Sequence, residues 1–235
     1  ETKHLVEDPQ MRLTLHDSTV FLQDIADGLT GRVTTAGSLE GSIKHPRGSV
    51  SLEGDDIDLG FQKIDRILIL STIEDQRIKV DKLNLVPGKG DKPVGGTGWI
   101  AFQGDYGFQL SASGLSLENI DILAENHVSK GQADISLTGS GSYSRPYLRG
   151  DIILKEVFID QDRLGDARIS IDLQDEIVCL SGKQGLDLKA SYMLGRGDFS
   201  ASAVFDNLDL APYFRIARYP DLRGTVTGEV QGSGN

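Results

Sequence analysis

Asp160-Gln161-Asp162-Arg163-Leu164-Gly165 opens like a loop that wraps a calcium ion, with alternating carboxylates and a glycine at the sixth place. The pattern then fails. The fifth ligand position holds Leu164, and the twelfth, where a bidentate glutamate belongs, holds Ile171. A hairpin turn accounts for the stretch. Gly88-Lys89-Gly90-Asp91-Lys92-Pro93-Val94-Gly95-Gly96 is glycine-rich with a lysine, as a phosphate loop must be. It lacks the Gly-Lys-Ser/Thr ending and a following helix, so it reads as a flexible loop between strands. His4, His16, His45 and His127 are scattered and match no zinc spacing. Arg196-Gly197-Asp198 spells an adhesion tripeptide, but Gly-Arg-Gly-Asp between two strands is more simply turn chemistry. Carboxylates are too frequent in this acidic chain to nominate an acid–base pair. Cys179, the single cysteine, lies in Ile177-Val178-Cys179-Leu180 and reads as a small buried hydrophobe. No intramolecular disulfide is possible. These readings make the chain a non-enzyme, with no cofactor and no metal.

Without a catalytic constellation, attention passes to the elements and their faces. Read by twos, Leu186, Leu188, Ala190, Tyr192 and Leu194 share one face of an extended strand, and Asp187, Lys189 and Ser191 share the other. After Gly195-Arg196-Gly197-Asp198 the alternation resumes with Phe199, Ala201, Ala203 and Phe205. Similar alternating runs fill 11–15, 50–54, 57–61, 64–70, 77–86, 108–112, 133–137, 150–160 and 167–173, separated by Gly, Asp and Asn. Closely spaced alternating strands with short turns predict an all-β antiparallel meander.

Composition narrows the partners. The formal charge is −11, and no basic cluster interrupts it, so nucleic acid is not expected to bind. Aromatic residues are 6% of the chain, so the apolar faces are mostly Leu, Ile and Val. No run approaches the roughly 18 apolar residues of a membrane-spanning helix. Glu1–Gln10 is read as neither a signal peptide nor an anchor, and Val226–Asn235 as stopping within a pattern, so a segment of a longer chain is expected.

The pattern recurs at about one hundred residues. Gly31, Gly41, Ser42 and Pro46 match Gly131, Gly141, Ser142 and Pro146. A two-residue insertion in Pro146-Tyr147-Leu148-Arg149-Gly150 against Pro46-Arg47-Gly48 then places Gly48 with Gly150, Leu52 with Leu154, Ile57 with Ile159, and Ile67 and Ile69 with Ile169 and Ile171. Gly234 lines up with Gly41 and Gly141. Similar lead-ins, with room for a helical turn, fill 21–31, 117–131 and 208–224. The expected organisation is the end of one repeat (1–30), repeats at 31–130 and 131–223, and the start of a third (224–235), all in one continuous sheet.

The order of these pieces, a glycine, alternating residues, Gly-Ser, a loop with Pro, then Leu-Arg-Gly or Pro-Arg-Gly leading into a strand, resembles the TamB and wider AsmA-like family of bacterial envelope proteins. Phe205–Phe214 followed by Asp221–Gly234 is its clearest instance, with His45–Leu59 and Arg145–Asp160 as the second element. The likeness covers nearly the whole chain and rests on order and spacing. It implies an elongated, curled antiparallel sheet, the β-taco, with a U-shaped hydrophobic groove. It implies bridge-type phospholipid transport between the inner and outer membranes, in the periplasm, as part of a protein anchored in the inner membrane. The implied partners are phospholipid acyl chains, flanking repeats of the same chain, and an outer-membrane barrel protein, as in a translocation and assembly module.

On this reading the groove wall comprises Leu52, Ile57, Leu59, Phe61, Ile67, Ile69, Ile78, Val80, Phe108, Leu110, Ile135, Leu137, Ile152, Leu154, Ile169, Ile171 and Leu173. It continues through Leu186, Leu188, Tyr192, Leu194, Phe199, Ala201 and Phe205. Three alternatives stay open. The fold could be a β-sandwich whose inner faces bury each other. The function could be that of a scaffold offering sheet edges to outer-membrane barrel proteins or autotransporters. A β-helical adhesin would need coils of about 20–25 residues, unlike the period here.

Overall fold

The computed structural model describes residues 10–234 except 25, 27, 43, 75, 126–127, 143, 175–176, 184–185, 194–195, 212–213, 215–218 and 220, and except the side chains of 183 and 186. Runs of alternating β-branched and polar residues form fourteen strands. They are β1 (Gln10–Phe21), β2 (Thr30–Ser42), β3 (Pro46–Asp58), β4 (Lys63–Glu74), β5 (Arg77–Val86), β6 (Val94–Ala101) and β7 (Asp105–Ser116). Then follow β8 (Val128–Ser142), β9 (Arg145–Ile159), β10 (Asp162–Gln174), β11 (Ile177–Lys183), β12 (Leu186–Met193), β13 (Phe199–Asp209) and β14 (Thr225–Gly234). A five-residue helix, α1 (Asp121–Glu125), precedes β8.

The strands pair in chain order in one antiparallel sheet, elongated, curled and not closed into a barrel. Among the described residues no second sheet covers it, so the sandwich alternative does not hold. The accessible surface makes the same point. A compact monomer of 25.5 kDa exposes about 10,000 Å² by the usual mass scaling. This chain exposes 15739 Å², half as much again.

Antiparallel order sends the connections alternately to two rims. One rim carries the short turns β2–β3, β4–β5, β6–β7, β8–β9, β10–β11 and β12–β13. The other carries connections that range from two residues (β9–β10 and β11–β12) to fifteen (β13–β14), and both buried clusters lie toward it. Val33, Ile57 and Ile64 form one cluster, packed by Leu22, Leu52, Leu59, Ile67 and Leu85. Ala112, Leu115, Leu117, Ala133 and Val157 form the other, packed by Val94, Ile120, Leu123, Val128, Ile135, Leu154 and Leu164. Leu22, Leu117, Ile120 and Leu123 belong to the links themselves, which fold over the apolar side of the sheet.

The strands reach that rim through bulges. Asp17, Asp56, Glu156 and Asn207 take positive φ of 37°, 50°, 49° and 49°, and Gly114 takes 65°. Neighbouring side chains satisfy freed N–H groups. The amide of Glu156 donates to Asp166 Oδ1 (2.9 Å), that of Gly114 to Asp134 Oδ1 (2.8 Å), and that of Asn207 to Thr227 Oγ1 (3.1 Å).

Register recurs along the chain, and it corrects the sequence alignment. Gly41 faces Pro46 and Gly141 faces Pro146. Leu39 faces Gly48 while Gly139 faces Leu148, and Leu52 faces Ile69 while Ile152 faces Ile169. The offset therefore stays at 100, with no two-residue insertion. Leu148, Ile152, Val157 and Ala167 stand where Gly48, Leu52, Ile57 and Ile67 stand. Matching turns set matching hairpin registers whatever the Arg-Gly text suggests. The length difference enters later, beginning with a bulge after Val80 in β5.

Candidate functional site

Paired residues of an antiparallel sheet share a face, so the register defines rows that run across the strands. One row reads Leu15, Gly37, Val50, Ser71, Val80, Gly98, Phe108, Gly139, Leu148, Leu173, Val178, Tyr192, Phe199 and Gly234. The next reads Ser18, Thr35, Leu52, Ile69, Leu83, Gly96, Leu110, Leu137, Gly150, Ile171, Leu180, Ala190, Ala201 and Gly232. Each takes one residue from every strand, and neither contains Asp, Glu, Lys, Arg or His. Thirteen strand spacings of about 4.8 Å make each row about 62 Å long.

Two shorter rows flank them. Val20, Val33, Gly54, Ile67, Leu85 and Val94 lie toward the linked rim, and Ala112, Ile135, Ile152, Ile169, Gly182, Leu188, Ala203 and Val230 continue that side from β7. Leu13, Leu39, Gly48, Ile73, Ile78, Ile100, Tyr106, Gly141 and Pro146 lie toward the short-turn rim.

The structure brings most of the predicted wall onto this face. Leu52, Ile69, Leu110, Leu137, Ile171 and Ala201 share one row, and Val80, Phe108, Leu173, Tyr192 and Phe199 share another. Ile67, Ile135, Ile152, Ile169 and Leu188 lie in the third, and Ile78 in the fourth. Leu154 faces Ala133, and Phe205 faces the backbone of Leu186. Ile57 reaches the same side only because the bulge at Asp56 reverses the alternation, and it is buried there with Leu59 packed against its cluster. Phe61 does not join them. Leu59 N–H bonds the carbonyl of Gln62 and Gly60 N–H bonds Asp58 Oδ1, so the chain turns there and leaves Phe61 74% exposed. Leu194 and the side chain of Leu186 lie outside the described residues.

Sequence reading missed Leu83 and Leu85, whose phase changes at the β5 bulge, and Val178 and Leu180. Four consecutive apolar residues at 177–180 leave two phases open. Pairing resolves them: Val178 and Leu180 take the apolar rows, and Cys179 faces Asp172 and Ser191. Cys179 is therefore exposed on the polar face, not buried. Glycines on the apolar face, also missed, let large side chains lie flat. A Cβ on Gly139 would stand 2.3 Å from Phe108 Cε1, and one on Gly234 would stand 2.8 Å from Phe199 Cε1.

The opposite face is ionic and hydroxyl-rich. Arg149 pairs with Asp172 (2.9 Å), Arg168 with Asp151 (3.1 Å), and Arg66 with Asp55 (3.3 Å). Lys155 pairs with Asp134. The Arg168 guanidinium, then the Ser170 hydroxyl, hold the Asp151 carboxyl below its ordinary range. Lys155, then the Gly114 amide, do the same for Asp134. A cleft of about 1000 Å³ lies on this face between the rows Arg149, Asp172, Cys179, Ser191, Ser200, Ser233 and Asp151, Ser170, Ser181, Lys189, Ser202, Gln231. On the apolar face a smaller hollow of about 430 Å³ is lined by Gly98, Ile100, Tyr106, Phe108 and Pro146.

Asp160 (φ 52°) turns the chain between β9 and β10, and Arg196-Gly197-Asp198 lies in the turn before β13, closed by Gly197 N–H to the Met193 carbonyl. No group of His, Cys, Asp and Glu among the described residues is arranged to hold a metal ion. No helix among them is long and apolar enough to cross a membrane. Comparison with family models, curated proteins and solved structures finds no match.

Proposed function

We propose that this sheet is a segment of a periplasm-spanning envelope protein that conducts phospholipids between the inner and outer membranes along its apolar face. The observation that carries this is the pair of uncharged rows that cross all fourteen strands, with no second sheet over them among the described residues. Two acyl chains of about 16 carbons cost on the order of 25 kcal/mol to expose to water, at about 0.8 kcal/mol per CH₂. A carrier must offer apolar contact at every step, because a charged break would be a barrier and a deep closed pocket a trap. Small differences between Leu, Ile, Val, Gly and Ala along a row keep that path nearly level. The ion-paired opposite face faces water.

Native mass spectrometry of the purified chain tests this. Phospholipid should co-purify with the wild type and be lost from Ile171→Asp and Leu188→Asp, whose circular dichroism should stay that of a β-sheet. Normal lipid content in both folded variants would sink the reading. A second reading, strand addition to outer-membrane barrel proteins, is favoured by the outer edges of β1 and β14, which no strand among the described residues pairs. It predicts peptide pairing that survives Ile171→Asp.

A further inference from the structure

Trp99, the chain's single tryptophan, lies on the polar face. Its indole lies across β7, where a Cβ on Gly107 would stand 2.7 Å from Trp99 Nε1 and 3.0 Å from its Cε2. The same row continues through Gly107 and Ser140 to Tyr147. Trp99 and Tyr147 both line a hollow of about 370 Å³, together with Thr97, Gln109 and Thr138. Arg77 lies over the indole at 4.9 Å and belongs to the hollow on its other side. Two aromatic rings beside hydroxyls and a side-chain amide offer an apolar wall and hydrogen-bonding groups in one place.

The hollow adjoins the cleft of about 1000 Å³ on the same face. Thr138 of the hollow pairs with Arg149 of the cleft, and its hydroxyl donates to the Arg149 carbonyl (3.3 Å). The row that starts at Thr97 runs through both to Ser233, one residue from each of β6–β14, and contains no Val, Leu, Ile, Met or Phe. Eight strand spacings of about 4.8 Å make this track about 38 Å long. A second row beside it runs from Ser111 to Gln231 and includes five serines. The charges that line the cleft balance, Arg149 and Lys189 against Asp151 and Asp172. Both carboxylates are engaged, Asp172 by Arg149 and Asp151 by Arg168 and by the Ser170 hydroxyl (2.6 Å). Such a cleft draws neither a polyanion nor a polycation, and it presents donors and acceptors to a neutral ligand.

We infer that the polar face binds a neutral, extended glycan along this track, with one sugar ring in the hollow between Trp99 and Tyr147 and the following rings in the cleft between the two rows. A pyranose has the matching two-sidedness. Its C–H face packs on an aromatic wall, and its hydroxyls lie at the edge, toward Thr97, Gln109 and Thr138. A flat β-1,4-linked chain turns its hydroxyl edges to both rows at once. The site uses the face opposite the apolar rows and does not depend on the phospholipid reading.

Because Trp99 is the single tryptophan, its fluorescence reports on this site alone. Titration of the intact chain with cellohexaose or chitohexaose should change that fluorescence saturably. Tyr147→Ala and Ser191→Arg should each weaken binding several-fold while their circular dichroism stays that of a β-sheet. Leu188→Asp, on the apolar face, should bind as the wild type does. Binding should persist from about 0.1 M to about 1 M salt, because no net charge is engaged. The proposal is overturned by the lack of a saturable change with both hexasaccharides, by unchanged affinity in either folded polar-face variant, by a loss in Leu188→Asp as large as in Tyr147→Ala, or by a several-fold fall over that salt range. None of these outcomes touches the lipid content that tests the other face.

Discussion

Gly31 and Gly131 stand opposite bulges and have a specific task there. Each holds a positive φ, 118° and 151°. A Cβ on Gly31 would lie 2.9 Å from both the Asp56 carbonyl oxygen and the Ile57 Cα, and one on Gly131 would lie 2.8 Å from Leu117 Cδ1. Backbone cannot yield as a side chain can. Gly31→Ala should therefore cost about 2 kcal/mol, read as a fall in the urea midpoint. Gly232→Ala, where nothing lies within 4 Å of the Cβ position, should change it by less than about 0.5 kcal/mol. Equal effects of the two would remove the explanation. Asp134 makes a second prediction. Its folded carboxyl is depressed by Lys155 and the Gly114 amide, so it stabilises the fold above the ordinary carboxylate value of about 3.9. That contribution is lost as pH falls through the folded value. The gap in urea midpoint between wild type and Asp134→Asn should be full at pH 7 and shrink toward pH 3. A gap that stays constant across the range would contradict it.

At the scale of elements, the links that follow β1, β7 and β13 are visible in sequence as repeated departures from strand alternation. What they grip is not. Gln62, Lys63, Asp91 and Asn119 carry no periodic signal, and the 57 and 58 residues that separate Gln62 from Asn119 and Lys63 from Asp121 put their contact beyond local pattern. Removing the Asp121 carboxylate leaves the Lys63 amide without its acceptor. Asp121→Ala should raise amide exchange at Lys63 while amides of central β9 and β10 keep their protection. Unchanged exchange at Lys63 would mean that the tie does not hold in solution. The bulges behave likewise. Alternation predicts Ile57 on one phase and Leu52 on the other, and only the positive φ of Asp56 reconciles them.

For the molecule as a whole, the single sheet, uncovered by a second one among the described residues, has a measurable size. A compact chain of this length has a radius of gyration of about 17.5 Å. A single sheet about 62 Å across its strands must exceed that, even when curled. Small-angle scattering should give a value clearly above the compact one. Agreement with the compact value would require a second layer over the apolar face. Strand positions, the all-β class, the polar and apolar phases of most strands and the repeated glycines follow from residue order alone, because alternation and turn chemistry are local. Whether the apolar phases meet another sheet or stay open depends on how hairpins stack in space, and a sandwich and an open sheet share one alternation. Pairing in strict chain order decided it. The same pairing put Cys179 on the polar face, turned Phe61 outward, and held the repeat offset at 100, since register belongs to two strands and cannot be read from one.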